Sequence, residues 1–192
     1  MSTICNMGAE TGATTSIFPY MEAMSAYLRA TSRHDISEAV KSAASELQAD
    51  EGAEYDRVIE INLSSLEPHV NGPFTPDLAT PLSKFTQTVE EQGWPKQLTA
   101  GLIGSCTNSS FQDMSRAADL GRQALDAGLK PKMPLLVSPG SETTRQTLDE
   151  SGALQVFKDL GSTLLTNACG PCCGSWDREG VEKVSTRLNY NL

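Results

Sequence analysis

Leu98-Thr99-Ala100-Gly101-Leu102-Ile103-Gly104-Ser105-Cys106-Thr107-Asn108-Ser109 passes from a short apolar run into a loop of small and polar residues. The pattern then repeats, and the repetition decides the fold. Leu98–Gly104 reads as a buried strand. Ser110 to Gly128 reads as a helix with Phe111, Met114, Ala118 and Leu125 on its buried stripe, opened by a Ser110/Asp113 capping box and stopped by Gly128. Met133–Val137 is a second strand. Ser141 caps a helix over 142–150 that Gly152 ends, Val156–Leu160 is a helical turn, and Thr163–Thr166 is a third strand. This β-α-β-α-β alternation predicts an α/β fold, a parallel sheet with helices on both faces. Ligands of such sheets gather beyond the carboxyl ends of the strands. Three loops belong there: Gly104–Ser109, Ser138–Ser141 and Asn167–Cys172.

The third loop, Asn167-Ala168-Cys169-Gly170-Pro171-Cys172-Cys173-Gly174, holds three of the five cysteines. With Cys106 on the first loop, cysteines far apart in sequence converge on one sheet edge. A Cys-x-x-Cys turn plus one distant Cys is a metal or iron–sulfur pattern before it is a disulfide pattern. Cys106, Cys169 and Cys172 supply three soft ligands. A structural zinc site takes four protein ligands, so Cys173 would have to join. A [4Fe–4S] cluster with three cysteines would leave one iron open as a Lewis acid, which suits loss and return of hydroxide from a hydroxy acid. The competing readings are a thioredoxin-like redox pair, because Cys-Gly-Pro-Cys spells such a turn, and buried structural cysteines. The redox pair does not explain Cys106 on an equally Gly/Ser/Asn-rich loop.

Upstream, Asn6 and Glu10 are four apart in Ser2–Tyr20, so a helical turn would put both on one side; a helix start with a surface Glu is the plainer reading. Met21, Met24, Tyr27 and Leu28 predict a short amphipathic helix over 21–30, and Ile36, Val40, Ala43 and Leu47 a second over 35–47. Tyr55–Leu63 alternates well enough for a strand. Glu67–Pro76, rich in Pro, Gly and Asn, reads as a linker, and 81–93 as a helix with Leu82, Phe85 and Val89 inward. His34 and His69 lack partners in sequence and read as surface or loop residues.

Net charge is −9 without a Lys/Arg cluster, which argues against nucleic acid or an anionic membrane as partner. The longest apolar runs are far too short to span a bilayer. No signal peptide or Arg-rich presequence is visible. Five cysteines crowded in this way suit a reducing compartment better than a disulfide framework.

Four segments give the chain a family resemblance: Ile4-Cys-Asn-Met-Gly-Ala-Glu-Thr-Gly-Ala-Thr-Thr-Ser16, Asn71-Gly-Pro-Phe-Thr-Pro-Asp-Leu78, Gly101–Ser110 and Asn167–Cys172. Together they resemble aconitases, most closely the mitochondrial type, along nearly the whole chain. The Gly-Pro between the two cysteines favours aconitase over the related isopropylmalate isomerase. The resemblance implies that Cys106, Cys169 and Cys172 hold a [4Fe–4S] cluster with one open iron, and that Asn6 and Asn191 approach it. It implies that Glu10 joins the hydrogen-bonded network around bound hydroxyl or water. It further implies a hydro-lyase of the tricarboxylic acid cycle, acting in mitochondria on citrate, cis-aconitate and isocitrate.

Family members are roughly four times this length. By resemblance, residues 1–66 are part of the second domain, 67–79 a linker, and 80–192 the cluster-binding α/β domain. The His and Asp partners, the serine base and most substrate-binding arginines would lie outside these residues. An arginine normally follows the position of Asn191, where this chain has Leu192, and Cys173 stands where an apolar residue is usual. The chain alone is therefore expected to be inactive, with marginal order or association in 1–66. Two alternatives accompany this reading: a non-catalytic metal-binding fragment or degenerate paralogue, to which the tail Val184–Leu192 points, and a homoaconitase-like dehydratase.

Overall fold

The computed structural model describes residues 1–73, 75, 77–168 and 170–176. The chain divides into two compact units, Met1–Ile61 and a second from Asn62 onward.

The first unit is three short helices: α1 (Ser2–Glu10), α2 (Glu22–Ala30) and α3 (His34–Ser42). α2 and α3 pack against each other, and small residues at their contact let the backbones approach. Ser25 and Ser37 are fully buried there, and the Ser37 hydroxyl donates to the Ser25 carbonyl at 3.4 Å. They are the only buried residues among those described up to Ile61. The apolar stripes expected to form a core do so only in part, with Met24, Leu28, Val40 and Ala43 half-buried. Met21, Tyr27, Ile36 and Leu47 are all exposed, and α3 ends at Ser42, short of Leu47. Tyr55–Leu63, expected as a strand, forms none, and Val58, Ile59, Ile61 and Leu63 stand exposed. Alternation alone cannot make a strand where no neighbouring strand takes its hydrogen bonds.

In the second unit the Pro-rich stretch expected as a linker is built into the fold. β1 (His69–Asn71) pairs antiparallel with β2 (Ala79–Pro81), register Val70 to Thr80, with both residues buried. α4 (Leu82–Gln92) packs on this ladder. Glu67 fixes its start by accepting from Ser83 N at 3.2 Å and Ser83 Oγ at 2.9 Å, and Gly93 ends it in the left-handed conformation at φ 65°.

The βαβαβ unit follows as the pattern predicts, with shorter strands. β3 (Gly101–Gly104), β4 (Leu135–Ser138) and β5 (Thr163–Leu164) form a parallel sheet in the order β3-β4-β5. Ile103, Val137 and Leu164 stand in register on one face. α5 (Phe111–Asp126) crosses from β3 to β4, and α6 (Glu142–Glu150) with α7 (Ala153–Asp159) crosses from β4 to β5. These three helices pack on one another over the same sheet face, rather than on both faces as expected. The reason is topological. The strands are added in one direction, so successive right-handed crossovers fall on one side.

The core between them is Met114, Ala118, Val137, Leu148, Leu154, Val156 and Phe157, with Ile103, Leu135 and Leu164 half-buried around it. Phe111, expected in that stripe, is exposed on the first turn of α5. Gly121 lets α5 lie directly on α7, since a Cβ there would meet Leu160 Cδ1 at 2.8 Å. The capping box forms as read, with Ser110 Oγ accepting from Asp113 N and Asp113 accepting from Ser110 N, each at 3.2 Å. Phe157 has no exposed surface at the centre of this core. Phe157→Ala is expected to remove about 3–5 kcal/mol, measured as a lowered urea midpoint of the α/β unit's own transition.

Candidate metal centre

The carboxyl ends of β3, β4 and β5 carry the three loops that the alternation placed there, and backbone packing locks them together. Gly104, at φ 112°, ends β3 where a Cβ would fall on the Ser138 carbonyl oxygen. A Cβ on Gly140 would meet the Ser109 carbonyl at 2.9 Å. Gly140 N donates to that carbonyl at 3.1 Å, which ties the second loop to the first. Ser138 Oγ donates to the Thr166 carbonyl at 3.4 Å, which ties the second to the third. The end of the central strand is thus the bridge between the two cysteine-bearing loops.

Cys106 sits between pinned neighbours. Ser109, 2% exposed, accepts the Ser105 amide on its hydroxyl. Ser105 Oγ in turn accepts from Thr107 N at 3.0 Å and Asn108 N at 3.1 Å. The loop is therefore held from both sides while Cys106 itself remains exposed, with its sulfur 3.6 Å from Thr107 Oγ1.

In the third loop Pro171–Cys173 forms a 3-10 turn closed by Gly174 at φ 82°. Cys173 N and Ser175 N both donate to the Gly170 carbonyl at 3.1 Å. Cys172 is half-buried and Cys173 exposed. The Cys173 thiol donates to the Gly170 carbonyl at 3.2 Å and lies 3.5 Å from Ser175 Oγ. The Ser175 hydroxyl, and then its amide, holds the Cys173 thiol below the ordinary value by stabilising the thiolate.

Of the residues singled out in the sequence, Cys106 and Cys172 thus leave the same sheet edge. Asn6 and Glu10 lie four apart and exposed on α1, in the other unit. Cys169 and Asn191 lie outside the described residues. Among the described residues, no group of three or more His, Cys, Asp or Glu is arranged to hold a metal ion. The donors present fit an iron–sulfur group in chemistry. Cys106 and Cys172 are thiols outside any disulfide, accessible to solvent, on loops whose glycines allow close backbone approach.

Sequence reading missed the locking residues Ser109, Ser138 and Gly140, and a polar chain from α6. Glu142 accepts from Arg145 Nε at 2.9 and 2.8 Å on its two oxygens, and from Asn167 Nδ2 at 3.1 Å. Arg145, and after it Asn167 among the weaker causes, holds the Glu142 carboxyl below its usual value. An acidic residue followed three positions later by Arg at a helix start was the available signal.

A sequence model of the aconitase family (aconitate hydratase) matches residues 1–191. The chain belongs to the aconitase family. Among curated relatives, the mitochondrial aconitate hydratase of Emericella nidulans is 58% identical over 95% of this chain. That of Aspergillus fumigatus is 60% identical over the same share. The mitochondrial homocitrate dehydratase of Saccharomyces cerevisiae is 56% identical over 98% of it. The chain spans 23–24% of the length of these relatives. Aconitases are hydro-lyases, and this chain is a partial representative with a parallel three-stranded sheet at its centre. No helix among the described residues is long and apolar enough to cross a membrane.

Cys173 is expected to react with iodoacetamide at lower pH than an ordinary thiol. In Ser175→Ala its pH–rate profile should move upward, as read by mass spectrometry of the 170–176 peptide.

Proposed function

We propose that this chain carries the cluster-binding part of an aconitase, with Cys106, Cys169 and Cys172 as the three protein ligands of a [4Fe–4S] cluster. The observation that supports this most is the shared sheet edge: the loop of Cys106 and the loop of Cys172 both hydrogen-bond to the end of β4. Neighbouring strands are about 4.8 Å apart, so loops leaving strands on either side of β4 are within reach of one inorganic group roughly centred over it.

When bound, such a cluster supplies a Lewis acid for loss and return of hydroxide. The chain's own residues have the remaining tasks. The three thiolates hold and orient the group, and the Ser105–Ser109 hydrogen bonding keeps Cys106 in place. Asn6 and Glu10 belong to the hydrogen-bonding set around the leaving hydroxyl, an assignment that rests on their segment Ile4–Ser16. Asn191 joins that set by the same argument.

The substrates are small tricarboxylates, citrate, cis-aconitate and isocitrate in the first place. The 56% identity to a homocitrate dehydratase makes a longer tricarboxylate the second reading. A mitochondrial setting agrees with the names of all three relatives. Residues 1–66 stand as part of a second domain and 80–192 as the cluster-binding domain, while the stretch expected to connect them, 67–79, contributes β1 and the start of β2. The serine base and most substrate-binding arginines of the family have no counterpart in these 192 residues, so the chain alone binds the cluster and does not turn over substrate.

Two outcomes check this. After anaerobic reconstitution with iron and sulfide, wild type is expected to show the visible absorption and EPR of a [4Fe–4S] cluster, and Cys106→Ser to lose most of it. The reconstituted chain should show no measurable hydration of cis-aconitate. Equal cluster content in Cys106→Ser would remove Cys106 from the ligand set, and turnover would overturn the account of the isolated chain.

A further inference from the structure

Tyr55-Asp56-Arg57-Val58-Ile59-Glu60-Ile61-Asn62-Leu63 contains no proline or glycine and is rich in residues that favour strands. Val58, Ile59, Ile61 and Leu63 are 63–78% exposed. No backbone amide from Glu54 to Leu63 donates to another described residue, whereas Ala53 N bonds to Asp50 just before and Ser65 N to Asn62 just after. A bend at Asp56 and a turn beginning at Leu63 bound the run, and between them the chain neither bends nor turns.

Unpaired amides beside exposed apolar side chains make a template for pairing with another strand. The charges of the run restrict what can pair with it. In a second copy laid parallel and in register, Asp56, Arg57 and Glu60 would each face a like charge, which is destabilising. A two-fold antiparallel pair puts residues opposite each other on the same face, so it is centred on a single residue. Centring on Asp56, Arg57 or Glu60 sets that charge against itself. Centring on Val58 sets Asp56 against Glu60 of the second copy, twice over. Centring on Ile61 or Asn62 runs the pairing into the turn at Leu63.

Centring on Ile59 avoids all of these conflicts. Ile59 then meets Ile59, Arg57 meets Ile61, and Val58 meets Glu60. By the period of two, Ile59 and Ile61 share a face, so the four isoleucines of two copies cluster on one side of the ladder. The pattern is self-complementary in charge and in apolar surface at this one register.

We propose that this segment is the docking surface for a second copy of the chain, the two Arg57–Ile61 runs forming a two-stranded antiparallel ladder about a two-fold axis at Ile59. A ribbon this short buries less than a standard interface, and a two-stranded ladder is marginal by itself. The dimer is therefore weak, reversible and dependent on concentration. The proposal is independent of the cluster assignment.

The test is sedimentation equilibrium of the full chain in reductant, so that the exposed Cys5, Cys106 and Cys173 do not bridge copies. The wild-type mass is expected to rise from one chain toward two as concentration increases, with slower hydrogen exchange within 57–61. Ile59→Lys and Ile59→Glu each place like charges on the axis, and each alone should lose the association. Mixed in equal amounts, they set Lys against Glu and should recover a two-chain species holding one copy of each. Because Ile59 is exposed, the circular dichroism of both variants and the urea transition of their α/β unit should match wild type.

A wild-type chain that stays single at every concentration overturns the proposal, as does assembly that continues past two chains. So does association of Ile59→Lys equal to wild type, or a mixture that associates no better than its components.

Discussion

The close backbone approach at the end of β4 is the constraint on which the candidate centre depends. Gly104 and Gly140 have no room for a side chain because the Ser138 and Ser109 carbonyls occupy the space. That contact brings the Cys106 loop against the central strand, and the Ser138 hydroxyl bond to Thr166 brings the third loop to its other side. A Cβ at Gly104 would fall on the Ser138 carbonyl oxygen and one at Gly140 would lie 2.9 Å from the Ser109 carbonyl, so either would force the loops to shift. The loop geometry is thus a property of packing between strand ends, in which the cysteines take part only as passengers.

The two units illustrate opposite ways of using apolar residues. In the βαβαβ unit, three helices close over one sheet face and bury Phe157, Met114, Leu148 and Val137 completely. In the first unit Met21, Tyr27, Ile36 and Leu47 stay exposed, Met24, Leu28 and Val40 are half-buried, and only two serines are fully buried among its described residues. A helix pair that meets through serines gains close approach and a hydrogen bond but little apolar burial. Met21, Tyr27, Ile36 and Leu47 therefore remain at the surface, as does the alternating run at 55–63.

The polar chain Arg145–Glu142–Asn167 ties the start of α6 to a residue that follows it by a full crossover. These hydrogen bonds lie at exposed side chains, where each contributes little to global stability. Cys173 belongs to the same turn and is set apart from Cys172 by its bonds to Gly170 and Ser175. This gives adjacent cysteines different chemical environments.

Much of this was legible in the sequence because it rests on local rules. The Ser110/Asp113 box, Gly128 and Gly152 as stops, and the apolar runs at 101–104 and 135–137 each state a backbone preference that does not wait for the rest of the chain. Alternation then implies a parallel sheet, and a parallel sheet implies that Cys106 and the third loop share an edge. The segments Ile4–Ser16, Gly101–Ser110 and Asn167–Cys172 were specific enough to indicate the family. What only the tertiary structure decided is whatever requires a partner distant in sequence. Tyr55–Leu63 has strand alternation but no strand beside it, so it forms none. The Pro-rich 67–79 stretch looks like a connector, but pairing of Val70 with Thr80 folds it into a ladder under α4. The helical stripe of Met21 and Tyr27 stays exposed because Ser25, not they, meets α3. Ser109, Gly140 and Glu142 gain their roles from atoms across the sheet edge, since a hydrogen bond or a clash between strand ends exists only once the sheet has brought both sides together.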